Sequence, residues 1–430
     1  MSWFQMGLLM VLGFFVAVAA LIFSGILPGF KSKSGVSASE IVMWGSLPSN
    51  LMSKTVEDIN TKNEVFKLTY VQKPAESFEN ILVEALASGN GPDLIIAPQE
   101  LILKQQNKIQ PIPYTSVTQR VFQDTFIDGA KIFGVQDGFL AMPCYVDPLV
   151  LYFNKDLYTN AGIINYPKKW EEIVKEQPAL TKVDSRNNVT QSSVALGSFS
   201  NITNAKDILS MLMMQAGNPI IYDAGDFNRQ VTLSETFGYS PSPATAATDF
   251  FLQFSDPSKV TYSWNRALPE AQDVFINSKL ANYFGLASEL SVIKEKNPHL
   301  NFDVALMPQQ SGDKRLTFGR FYGFAVLRSS KKPVVAMGAS TALAGQMAEK
   351  DMADSIGVVP VRRDLLATGT TDLFRTVFYN SALISRAWYD FDSAQTTNIF
   401  RTMTESIVAG QNSTDNAVSL ADQQLVKILK

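Results

Sequence analysis

Gly138-Phe-Leu-Ala-Met-Pro-Cys-Tyr-Val-Asp-Pro-Leu-Val-Leu-Tyr-Phe-Asn-Lys-Asp-Leu-Tyr158, continued by Ala161-Gly-Ile163, Pro167-Lys-Lys-Trp170 and Glu171-Glu172, is the most informative part of the chain. Asp137-Gly138 is a turn signal at its head. Leu149 to Phe153 is an apolar run of strand length. Asn154 has the side chain to cap a short helix that Gly162 ends, and Pro167 begins another helix carrying Trp170.

Upstream, Glu40–Trp44, Phe66–Val71 and Asp93–Ala97 read as strands. Between the last two, Phe78, Ile81, Leu82, Ala85 and Leu86 share one face of a helix that stops at Gly89. Strands alternating with helices predict a parallel sheet covered by helices, with ligand loops beyond the C-terminal strand ends, here just after Trp44 and Ala97. Downstream, helices are expected over Asp207–Ala216 (closed by Gly217), Ala244–Phe254, Glu270–Asn277 and Val334–Ala348. A last helix starts near Ser413-Thr414-Asp415 with Val418, Ala421, Leu425 and Ile428 on one face. Ala281–Phe284 is a short strand. Asp303–Leu306 and Leu316–Leu327 are two strands joined by a Ser311-Gly312-Asp313 turn.

A chain of 430 residues exceeds what one hydrophobic core serves, so two lobes are expected. Charged residues are 18% and hydrophobic ones 46%, a globular balance. The net charge of -3 and the absence of long basic runs exclude a nucleic-acid partner. One cysteine, Cys144, leaves no internal disulfide, and one histidine, His299, removes most metal-site and histidine-base chemistry. No cofactor is called for.

From Met6 to Phe30 the chain is uncharged and mostly apolar. About 25 residues at 1.5 Å each span about 37 Å, more than a bilayer core of about 30 Å. We read 6–30 as an uncleaved transmembrane anchor and 31–39, which contains Ser and Gly, as a tether. A cleaved signal peptide is the alternative, but Leu21-Ile22-Phe23 continues the apolar run past Ala17, Ala19 and Ala20. Lys31 and Lys33 follow the span and would by charge alone sit in the cytoplasm.

The quoted segment resembles the signature of bacterial extracellular solute-binding proteins of the sugar-binding, maltose-binding-protein-like type. So do four further pieces in order. Phe275–Gly285 resembles the approach to a cleft strand, and Phe318–Leu327 with Lys331-Lys332-Pro333 the return crossing. Gly357–Asp364 resembles a proline-containing turn, and Ile407–Gly410 before Ser413–Ala417 the closing helix pair. The departures are a missing lipid-attachment cysteine, Lys169 in place of a common threonine, and Pro98-Gln99-Glu100 where some relatives carry an aromatic residue.

The resemblance implies an α/β, two-lobed periplasmic-binding-protein-like fold (type II) behind the N-terminal transmembrane helix. Lobe 1 would hold 40–146 and 324–366, and lobe 2 would hold 148–320 and 371–430. The chain would cross near Asp147, near Phe321-Tyr322 and near Thr370, an arrangement suited to hinge closure. The implied function is capture of a small polar solute, a sugar or oligosaccharide, for an ABC permease. The receptor would be a monomer held at the cell membrane with its C-terminal part extracellular or periplasmic.

Sugars offer an apolar C–H face and a rim of hydroxyls. Trp44, Tyr145, Tyr322 and Trp388 are the candidate aromatics, and Ser46, Glu100, Asp147, Asn201, Glu289 and Arg320 the candidate polar contacts. Each has a plainer reading: Trp44 as strand core, Ser46 and Asn201 as loop residues, Glu100, Glu289 and Arg320 as solvated charges. Trp170 reads as structural. Two other functions stay open, a surface receptor that senses a solute and a secreted carbohydrate-active enzyme. The chain has no Gly-x-Ser-x-Gly, Walker or His-Glu-x-x-His motif, though paired carboxylates would suffice for a glycosidase.

Overall fold

The computed structural model describes residues 38–225, 227–310 and 314–429. The anchor read at 6–30, nearly all of the tether and the Ser311-Gly312-Asp313 turn lie outside them. Among the described residues no helix is long and apolar enough to cross a membrane.

Burial on alternate residues of β1 (Ser39–Gly45) puts Ile41 and Met43 in the core and turns Trp44 to the other side. After β2 (Phe66–Gln72), the helix Phe78–Ala87 buries Phe78 and Leu82 and ends where Gly89 takes a left-handed conformation, φ 74°. Then comes β3 (Leu94–Pro98), buried from Leu94 to Ala97 and paired in parallel with β1. A strand covered on both faces is what a helix-flanked parallel sheet requires.

The organising element is β4 (Met142–Asn154), thirteen residues long and buried everywhere but Phe153. Its first half pairs antiparallel with β8 (Thr317–Val326), which is itself antiparallel to β3. Its second half pairs with β6 (Leu280–Leu286) and β7 (Phe302–Ala305), and β6 runs parallel to β5 (Val189–Val194). A short β9 (Val359–Pro360) lies beside Tyr145 and Val146. One strand thus belongs to two sheets, and this divides the α/β structure into two lobes.

The sequence reading marked only Leu149–Phe153 of this strand, which in the structure also runs through Pro143 and Pro148. Pro148 is tolerated because it stands at the handover: Gly319 is its partner in β8, and from Leu149 onward β6 takes over. Two other expectations change. The strands on either side of 311–313 do not pair with one another; each pairs with β4. The helix expected over Val334–Ala348 is two helices, Pro333–Leu343 and Gln346–Ile356, interrupted at Gly345. Near Thr370, the helix Arg363–Thr368 ends at Gly369, φ 71°. Asp372 then caps the helix Leu373–Leu383 by accepting from the Arg375 amide.

Candidate functional site

In the ribbon of β4 and β8, Arg320 lies directly opposite Asp147, and Tyr322 directly opposite Tyr145. Side chains alternate along a strand, and opposed residues share a face. These four therefore project from one side of the ribbon, while Val146 and Phe321 turn to the other. The two tyrosine rings stack at 4.2 Å, a contact contributing about 0.5–1.5 kcal/mol beyond area burial.

Two cavities adjoin this floor, and both are lined by Tyr322. One, of about 710 Å³, is walled by Glu79, Glu100, Lys104, Arg320, Ser393 and Asn398. The other, of about 530 Å³, is walled by Ser46, Tyr145, Asp147, Ser288, Lys294 and Phe378.

The floor is tied to both sheets. Asp147 accepts from the Ser288 amide at 2.9 Å and from Ser288 Oγ at 2.6 Å. Arg320 Nη2 donates to Asp207 Oδ2 at 2.9 Å, and its Nε stands 3.7 Å from Glu100 Oε1. The Phe321 amide donates to Gln99 Oε1 at 2.7 Å. Lys104 bridges Glu79 at 2.9 Å and Asp392 at 3.4 Å. Asp392 also caps the helix Ser393–Val408 by accepting from the Gln395 amide.

Burial dominates the titration of these groups. It pushes Asp147 up to about 6, against the pull of the Ser288 donors and Arg320. It pushes Glu100 up as well, with Arg320 holding the carboxyl back. Burial alone would lower Arg320, but Asp207 and Glu100 outweigh it and the guanidinium stays charged. Tyr322 is pushed up to about 12, chiefly by burial.

Of the sequence candidates, Ser46, Glu100, Tyr145, Asp147, Arg320 and Tyr322 meet around this floor. Trp44 is half-buried, with Lys73 Nζ 4.1 Å from its ring centroid. Trp388 is 3% exposed and stacks on Phe400 at 6.0 Å. Asn201 spends its amide on the distant segment 264–268, donating to the Asn265 and Leu268 carbonyls and accepting from Trp264 Nε1. Glu289 accepts from Asn204, Gln272, Tyr283 and the Leu286 amide. None of these four lines either cavity.

Residues not singled out from sequence complete the surroundings: Gln99, Lys104, Asp207 and Ser288. Asp207 had one available signal, a carboxylate in the first turn of a mostly apolar helix. Ser288 had none beyond its place next to Glu289.

A strand shared by two sheets, with polar and aromatic groups gathered on one face of the crossing, defines a two-lobed receptor of the solute-binding class. The family profile of the bacterial extracellular solute-binding proteins matches residues 49–350, and the chain belongs to that family. The chain is 24% identical over 343 residues to the maltodextrin-binding protein MdxE of Bacillus subtilis (strain 168), covering 75% of this chain and 74% of that one. Its fold resembles a cyclo/maltodextrin-binding protein complexed with maltotetraose, at TM-score 0.74 and 16% identity over 93% of this chain and 99% of the other. A cyclic alpha-maltosyl-1,6-maltose binding protein from Arthrobacter globiformis is similar at TM-score 0.74 and 16% identity, with coverage of 91% and 99%.

Proposed function

We propose that this protein is the extracellular solute-binding component of an ABC importer, taking a sugar or oligosaccharide at the floor formed by β4 and β8. The observation that carries this reading is the convergence of Tyr145, Asp147, Arg320 and Tyr322 on one face of the ribbon beside two cavities. The tyrosine pair suits the apolar face of a sugar ring, and Asp147, Glu100 and Arg320 suit its hydroxyls through charge-assisted bonds. The maltodextrin-type ligands named for the similar proteins are of the same chemistry. Lobe 1 comprises 40–146 and 324–366, and lobe 2 comprises 148–320 and 371–430. They close about the crossings at Asp147, Phe321-Tyr322 and Thr370. The apolar run 6–30 anchors this receptor at the outer face of the membrane, near its permease.

The test is a thermal-shift screen of the purified protein against sugars, polyols, peptides and anions. Tyr145→Ala combined with Asp147→Ala should abolish the ligand-induced shift while ligand-free unfolding stays cooperative. A shift of wild-type size in that variant would place the site elsewhere. An oligosaccharide recovered cleaved after incubation would point to an enzyme. A native N-terminal mass starting beyond Ile26 would remove the anchor.

A further inference from the structure

The wall of the 710 Å³ cavity carries an imbalance of charge. Lys104 is shared by Glu79 and Asp392, and Arg320 is held by Asp207. Just behind, Lys206 is held by Asp390 at 2.7 Å. Every one of these cations has a carboxylate of its own, and Lys104 has two. Glu100 and Glu76 are left over. Among the residues that line the cavity, three carboxylates (Glu76, Glu79, Glu100) stand against two cations (Lys104, Arg320), and behind them Asp207, Asp390 and Asp392 outnumber Lys206.

Glu100 is where the excess goes underground. It is 8% exposed, and its Oε2 has no hydrogen-bond partner among the described residues. Its nearest cation, Arg320, is 3.7 Å away and committed to Asp207 at 2.9 Å. A neutral sugar hydroxyl could donate to this carboxyl but brings no counter-charge to a group that burial already pushes toward its protonated form. A guest cation would supply both the hydrogen bond and the charge. A cleft lined by one sign of charge also concentrates guests of the opposite sign.

We propose that the solute is a saccharide bearing a protonated amino group, and that Glu100 receives its ammonium. The proposal rests on the reading of this floor as a sugar site and narrows the class of sugar. Glu100 is then the specificity-determining residue, with Glu76 at the exposed rim and the tyrosine pair holding the ring face.

The experiment is calorimetric titration of the full-length protein at about pH 6, where amines are protonated, with three probes of equal length. These are chitotriose with free amines, its fully N-acetylated counterpart, and maltotriose. Wild type should bind the free-amine trimer at least about tenfold more tightly than the acetylated one, with the preference shrinking as salt rises. Glu100→Gln should bring the ratio of the two affinities to near one. Its ligand-free melting midpoint verifies that the variant is folded. Binding of maltotriose or the acetylated trimer as tightly as the amine by wild type overturns the proposal while leaving the sugar site standing. So does a preference that persists in Glu100→Gln. If none of the three saccharides binds wild type, both the proposal and the sugar site fall.

Discussion

Glu289 and Glu100 are both carboxylates drawn into the protein, and their surroundings treat them in opposite ways. Glu289 receives Asn204 Nδ2 at 2.7 Å, Gln272 Nε2 at 2.7 Å, the Leu286 amide at 2.8 Å and the Tyr283 hydroxyl. It knits β6 to the helices on either side. Glu100 is buried beside a cavity with an unpaired Oε2, and the cations near it, Arg320 and Lys206, are each held by another carboxylate. The contrast separates two uses of a buried charge. A saturated carboxylate is a strut, because its acceptors are filled by the fold. An unsaturated one at a cavity wall retains capacity for a guest.

The contrast breaks most readily at Arg320, the cation of the floor. Arg320→Ala leaves Asp207 and Glu100 buried without their counter-charge. The expected loss is about 3 kcal/mol, the low end for breaking a buried pair, since the arginine side chain is itself 31% exposed. Urea unfolding measures it, and an unchanged midpoint would mean that Arg320 neutralises nothing.

Asp147 gives the next effect, through pH. Burial raises its carboxyl to about 6, above the value of about 3.9 in an unfolded chain. The folded protein therefore holds this proton more tightly, and between about pH 4 and 6 stability falls as pH rises. Asp147→Asn should remove up to about 2–3 kcal/mol of that fall. The slope from Glu176, raised by burial to about 7, remains in both proteins. Identical pH profiles for variant and wild type would show that Asp147 titrates normally.

Glu289→Ala sharpens the strut side of the comparison. It strands several donors at once and should cost about 2 kcal/mol. Glu100→Gln, which strands none, should stay within about 0.5 kcal/mol of wild type or exceed it. Equal losses in urea melts would erase the distinction between the two residues. A comparably small effect belongs to Lys104→Ala. Its bridges to Glu79 and Asp392 are partly exposed, so the loss should be about 0.2–1 kcal/mol and vanish in high salt.

The same distinction explains which candidate residues the fold brings to the floor and which it does not. Tyr145, Asp147, Arg320 and Tyr322 stand on segments whose order marks them as crossings, so their positions could be read. Asn201 and Glu289 carried the same residue-type signal, yet the structure surrounds them with donors and acceptors from the segments packed against them. Nothing in the chain near Asn201 announces that Trp264 and the Asn265 and Leu268 carbonyls will consume its amide. Trp388 was indistinguishable from a platform for sugar until Phe400 was found against it.

Local chemistry was enough for part of the succession of strands and helices: apolar period, Asn154 as a cap, glycines with positive φ at helix ends, and an ordered set of family segments. These depend on neighbours a few residues away, and so they are written in the chain. That Arg320 faces Asp147 across 173 positions, that Pro148 falls where one partner strand yields to another, and that Glu100 is left short of a counter-charge were settled only by packing. Strand register and the filling of hydrogen-bond capacity are properties of groups brought together from distant segments, and no local pattern fixes them.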